Sequence, residues 1–211
     1  MEFTLKELGK KEILSVYRRF LAKFFDGNDE SFLISEAAIR WLIARELCCC
    51  YGLYDDKKHL ICFGLFINDN LKRVMLLDYF VVLKKYRGHN YPEIFFDLLK
   101  EMFEAEKEDT LENLPFGIFI ELAGVTENGE QFLAKRLKEL EFYRSLGAYM
   151  TDIVSVFEGD EYNIMFLPIN ERLSRSELKT EFLSIYKEIL PSFKDKKKYI
   201  IRLTEEVDGL I

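Results

Sequence analysis

The chain has 211 residues, 49% hydrophobic and 32% charged, with a formal net charge of −7 and a pI near 5.1. That much apolar material supplies one large core and argues against a disordered chain, while the acidic balance excludes general affinity for nucleic acid and suits cationic small substrates better. No run reaches the roughly 20 uninterrupted apolar residues of a membrane span, because Asp78 interrupts the longest candidate, Val74 to Leu83.

Met1 to Lys11 alternates charge with hydrophobicity and has neither the apolar stretch nor the small-residue cleavage site of a secretion signal, so a cytoplasmic location is expected. After an extended start at Phe3 to Leu8, Ile13, Val16, Tyr17, Phe20, Leu21 and Phe24 recur at helical spacing and predict a helix over Gly9 to Phe25. Asp26-Gly27-Asn28-Asp29 ends it. A second helix is predicted from Ser31 to Glu46, with Phe32, Ala38, Ile39, Leu42 and Ile43 toward the core.

Three extended runs follow, Leu47 to Tyr54, His59 to Ile67 and Leu71 to Leu83, with short polar connectors that favour an antiparallel meander. The third is the longest and most apolar, which predicts a central strand buried on both faces. Of the four cysteines, Cys48, Cys49 and Cys50 are consecutive and cannot converge on one point of an extended chain, and Cys62 stands apart. His59 and His89 belong to no ligand pair, so no metal is expected and the thiols read as small apolar groups.

The long strand leads into Lys84-Lys85-Tyr86-Arg87-Gly88-His89-Asn90-Tyr91-Pro92. Pro92 suits a helix start, and Ile94, Phe95, Leu98, Leu99, Met102 and Phe103 form one apolar stripe, predicting a helix closed by a charged loop from Ala105 to Asn113. Phe116 to Leu122 reads as a buried strand that a helical crossover would bring back parallel to the long one. A helix over Glu130 to Leu146 stops at Gly147, and Tyr149 to Glu158 with Glu161 to Ile169 forms a hairpin around Gly159-Asp160. Last come a helix over Ser176 to Leu190, a basic run Lys194 to Lys198 that reads as solvated surface, and Tyr199 to Leu203. The helix stripe Leu178, Phe182, Ile185 and Ile189 would pack on the main domain or pair with a second copy as a homodimer.

This order of elements over Met1 to Ile169 resembles the GNAT superfamily of acyl-CoA-dependent N-acetyltransferases. Two segments carry the resemblance. Leu77-Asp78-Tyr79-Phe80-Val81-Val82-Leu83-Lys84-Lys85-Tyr86-Arg87-Gly88 is similar to the family's fourth strand and the start of its pyrophosphate loop, and Glu141-Phe142-Tyr143-Arg144-Ser145-Leu146-Gly147-Ala148 to its FYxxLGF segment. The resemblance implies an α/β (α+β) fold with a mixed, mostly antiparallel central sheet flanked by helices. Residues 1–169 would form the acetyltransferase domain, and residues 170–211 a C-terminal helical extension.

It further implies acetyl-CoA (coenzyme A) as co-substrate, with its pyrophosphate on the backbone of Gly88, His89, Asn90 and Tyr91 under the charge of Arg87, and its pantetheine along Phe80, Val81 and Val82. Such a site suits anions, since a loop feeding a helix start offers free amides and the positive end of the helix dipole. Tyr143 would then be the acid for the departing thiolate. Removing a proton from a primary ammonium needs a base, and acidic residues inside apolar strands are the candidates: Glu121 first, then Asp78. An oxyanion would meet an amide near Phe80 to Val82. The acceptor is a small-molecule or peptide amine. Asn90 and Pro92 stand where the family pattern Q/R-x-x-G-x-G/A has small residues, which leaves open a non-catalytic binding or regulatory protein with weakened CoA binding.

Overall fold

Near-continuous apolar strands, buried on both faces, build one sheet, and two helical layers cover it. The computed structural model describes residues 2–25, 34–69, 71, 73–109, 115–123, 130–157, 160–189 and 199–203. The turn at 26–29, the start of the second helix at Ser31 and Phe32, the side chain of Phe24, residues 110–113 of the charged loop, Gly159 and the basic run 194–198 lie outside them.

Strand β1 (Thr4–Glu7) passes through Gly9 into α1 (Lys10–Val16), a π-helical turn at Tyr17–Leu21 and α2 (Ala22–Phe25). Glu12 folds back to accept from the Gly9 amide at 2.8 Å, which satisfies one of the donors a helix start leaves over. Helix α3 (Glu36–Ala44) opens on Ser35, whose hydroxyl accepts from the Ala38 amide at 3.2 Å. Then follow β2 (Cys48–Tyr54), β3 (Leu60–Asn68), β4 (Val74–Val82), α4 (Tyr91–Asp109), β5 (Gly117–Ala123), α5 (Glu130–Ser145), β6 (Tyr149–Phe157), β7 (Asp160–Pro168), α6 (Arg175–Ile189) and β8 (Tyr199–Leu203).

The eight strands lie in the order β1-β2-β3-β4-β5-β7-β6-β8. Strands β4 and β5 are parallel, as the α4 crossover requires, and the other neighbours run antiparallel. On one face Phe95, Phe96, Leu99 and Phe103 of α4 pack on Met75, Leu77, Ile118, Ile120 and Met165. On the other, α1 and α3 cover β2 and β3, while Leu178, Phe182, Ile185 and Ile189 of α6 cover β4 to β7.

Two features differ from expectation. Helix α4 continues to Asp109 where a loop was expected from Ala105, because Ala, Glu and Lys are good helix formers even after the apolar stripe has ended at Phe103. The C-terminal extension supplies a strand as well as a helix, since β8 pairs with β6 from Ile153↔Leu203 to Phe157↔Tyr199.

Candidate active site

Parallel pairing of β4 with β5 runs from Val74↔Gly117 to Leu77↔Ile120 and stops. Beyond it β4 stays with β3 and β5 with β7, so the two strands part like the arms of a V. A bulge sits at the fork: Phe66 faces Leu77 and Leu65 faces Tyr79, leaving Asp78 as the extra residue on β4. The bulge resets the alternation, so that Leu77, Phe80 and Val82 all belong to the α4/α5 core while Tyr79 and Val81 belong to the α1/α3 core. Between the arms lies a cavity of about 430 Å³, lined among others by Asp78, Phe80, Val82, Glu121, Glu139 and Tyr143.

The fork gathers three of the sequence candidates. Asp78 Oδ2 is shut off from solvent with no hydrogen-bond partner among the described residues, and burial, then the Glu121 carboxylate, push Asp78 up to about 8. Glu121 occupies the next position beyond the last β4–β5 pair, and its Oε1 accepts from Ser155 Oγ at 2.8 Å and from Tyr186 Oη at 2.6 Å. Tyr143 comes from α5, held by edge-on contacts with Phe142 and Phe96 at centroid distances of 5.0 and 6.2 Å. Burial, then Glu139, raise its phenol above the ordinary value, so it carries its proton at neutral pH.

The end of α5 fixes where Tyr143 stands. Gly147 takes the left-handed conformation (φ +96°), the Ala148 amide donates to the Tyr143 carbonyl at 3.0 Å, and the Gly147 amide donates to the Arg144 carbonyl at 2.9 Å. This double closure needs glycine at its turn. Lys100 of α4 adds a bond from Nζ to the Leu146 carbonyl at 2.6 Å.

After β4 the chain makes a single 3₁₀ turn at Lys84–Tyr86, and Gly88 turns it with φ +82° toward α4. The Ile94 amide donates to the Asn90 carbonyl at 3.2 Å, which makes Asn90 the cap of α4 and puts the Tyr91 and Glu93 amides in its first turn. The Tyr91 ring packs against Phe3, Tyr86 and His89 at 5.4–5.8 Å and does not line the cavity. His89 and Asn90 are exposed. Arg87 Nε donates to the Val82 carbonyl at 3.2 Å, on the strand where the pantetheine is expected to lie.

No family model matches the sequence, and no curated protein does. By structure the chain is similar to a putative acetyltransferase of the GNAT family from Bacteroides thetaiotaomicron, with a TM-score of 0.63 and 14% identity over 90% of this chain and 99% of that one. It is similar to the ribosomal-protein-S18-alanine N-acetyltransferase of Escherichia coli, with a TM-score of 0.52 and 14% identity over 82% and 97% of the two chains. A third is the spermidine N-acetyltransferase from Vibrio cholerae in complex with CoA and spermine, with a TM-score of 0.50 and 14% identity over 79% and 95%. The chain has the GNAT fold.

Within the GNAT fold of this chain, several groups at the site escape the sequence reading. Glu93 stands in the first turn of α4 with Oε2 buried and unpartnered among the described residues. The spacing Asn90-x-x-Glu93 of a reciprocal cap could have signalled it. Lys135 and Lys138 of α5 line the cavity without any motif to mark them. Burial pushes the thiols of Cys48, Cys49 and Cys62 up to about 12, which suits apolar filling and not nucleophilic work. His59 is exposed and tied to Asp55 at 3.1 Å, in a turn remote in sequence from the fork.

Proposed function

We propose that this protein is an N-acetyltransferase that moves an acetyl group from acetyl-CoA to a primary amine by direct attack in a ternary complex. One observation carries the reading: the parting of β4 and β5 opens a cavity onto two carboxyl groups and a buried phenol, at the end of a strand that leads to a helix start. A strand that has lost its neighbour has backbone groups to offer an extended, amide-bearing arm, here along Phe80, Val81 and Val82. The amides of Gly88, His89, Asn90 and Tyr91 would take the diphosphate, with the macrodipole of α4 behind them.

In this scheme Glu121 takes the proton from the acceptor ammonium, and the neutral amine attacks the thioester carbon. An amide near Phe80 to Val82 receives the oxyanion, and Tyr143 meets the thiolate as the C–S bond breaks. Asp78 keeps a second negative charge out of the fork while it holds its proton. An arriving ammonium favours its ionised form and makes it the reserve base. The chain's acidic balance supports a cationic acceptor, a small-molecule amine or a peptide amine. No described helix is long and apolar enough to cross a membrane, and we place the activity in the cytoplasm. The transferase domain is residues 1–169.

Ligand linkage tests the reading directly. Acetyl-CoA at 100 times its Kd should stabilise the protein by about 2.7 kcal/mol, visible as a rise in Tm and as heat in calorimetry. A screen of amines with free-thiol detection then finds the acceptor. Two observations favour the rival reading, a GNAT-fold binding or regulatory protein: Glu93 adds a carboxyl group to the helix turn proposed to take the diphosphate, and Pro92 removes an amide from the same turn. Absence of any heat or Tm shift at millimolar acetyl-CoA would select the rival.

Glu93 yields its own expected result. Like charges a few ångströms apart near a protein surface oppose each other by about 1 kcal/mol or more, so Glu93→Gln should tighten CoA binding about fivefold. Calorimetry at low and high salt checks it, because added salt should shrink the gain.

A further inference from the structure

Helix α6 lies outside residues 1–169, yet it reaches the fork. Tyr186 Oη and Ser155 Oγ both donate to one oxygen, Glu121 Oε1, at 2.6 and 2.8 Å. Tyr186 is 3% exposed and Ser155 is fully buried, so neither bond competes with bulk water. The helix is firmly seated beneath them: Phe182 meets Phe119 edge-on at a centroid distance of 5.1 Å and lies tilted against Tyr186 at 5.0 Å, and Glu181 meets Arg73 at 3.2 Å. From this geometry we infer that the C-terminal helix is part of the active site, with Tyr186 a positioning residue that, together with Ser155, fixes the orientation and charge of the Glu121 base. The inference rests on the reading of Glu121 as the base of amine acetylation.

The chemistry follows from what surrounds Glu121. Asp78 faces it from β4, Tyr162 from β7 and Tyr186 from α6, and across the cavity stand Lys135, Lys138, Glu139 and Tyr143 of α5. An ammonium drawn into the fork would favour the ionised form of Asp78, and a second carboxylate there would oppose the charge on Glu121. Two O–H donors on a single oxygen favour the ionised form and offset that repulsion. They also hold the carboxylate in one orientation, so the cost of ordering it is met in the free protein and not in the transition state. Sequence distance hides this arrangement, since Tyr186 and Glu121 are 65 residues apart.

Tyr186→Phe in the full chain is the test, because it removes one oxygen and keeps the ring that packs α6. Loss of a donor to the ionised form disfavours the carboxylate, so the acid limb of the kcat/KM profile should move up by about one unit, with kcat/KM at pH values below that limb falling about tenfold and the KM for acetyl-CoA unchanged. A carbon-13 NMR titration of the Glu121 side chain, assigned with Glu121→Gln, should show the same upward shift. Ser155→Ala removes the other donor without touching α6 and should act in the same direction if Tyr186→Phe folds poorly. An acid limb and a Glu121 titration that both match the wild type, with only Tm lowered, would reduce Tyr186 to an anchor for the helix and overturn the inference. Should the wild type transfer no acetyl group to any amine, the proposed function fails on its own account. The NMR titration then decides the coupling alone, an unshifted Glu121 overturning it.

Discussion

Tyr143→Phe is expected to lower kcat by about 100-fold while the Kd for CoA stays within about twofold. Phenylalanine keeps the ring contacts with Phe96 and Phe142 and the closure at Gly147, so the substitution removes one hydroxyl and little else. The phenol is raised by burial and so is a weaker acid than an ordinary thiol near 8.5. In the proposed mechanism its proton would therefore move late, and its main contribution would be a charge-assisted hydrogen bond to sulfur as the thiolate forms, worth about 2–3 kcal/mol. Single-turnover rates and calorimetry separate the two quantities. A wild-type rate in the variant would remove the hydroxyl from the mechanism.

Asp78→Asn should make the protein more stable, by an amount that grows with pH. Below about pH 4 folded and unfolded chains both hold the Asp78 proton, and the substitution changes little through this route. As pH rises, the unfolded residue ionises near 3.8 while the folded one keeps its proton to about 8, so the wild type loses stability across that window and asparagine does not. Even half of the displacement is worth about 3 kcal/mol at pH 8, against about 1.5 kcal/mol at pH 5. Urea unfolding of both proteins at the two pH values measures the gap. A gap that is the same at pH 5 and pH 8 would mean that Asp78 ionises in the fold as it does in water.

Much of this architecture is written in local pattern. The apolar extended runs with their short polar connectors, the stripe from Ile94 to Phe103 and the stop at Gly147 each follow from short-range chemistry, and the elements they predict are present within a few residues. An acidic residue inside an apolar strand is costly, and that cost alone singled out Asp78 and Glu121, which the fold brings to one fork. The bulge at Asp78 was not legible, because one extra residue changes neither composition nor hydropathy and shows only as Leu77 and Phe80 sharing a face. Insertion of β7 between β5 and β6 leaves no local mark either, since a hairpin reads the same whichever strand lies inside. The bond from Arg87 Nε to the Val82 carbonyl at 3.2 Å leaves no mark in the sequence either, since it depends on how the turn after β4 closes.

The bond from Lys100 to the last turn of α5 ties together two helices that chain order keeps apart. On the proposed mechanism, one would seat the anionic tail of the donor molecule at its start, and the other carries the hydroxyl that would meet the sulfur. An ammonium shared in this way makes the pair a single lever, so tilting the first helix to admit a bulkier tail would also swing the hydroxyl off its target. On the proposed mechanism, grip and bond-breaking would therefore be linked through this contact, and a change that improves either would have to answer for the other.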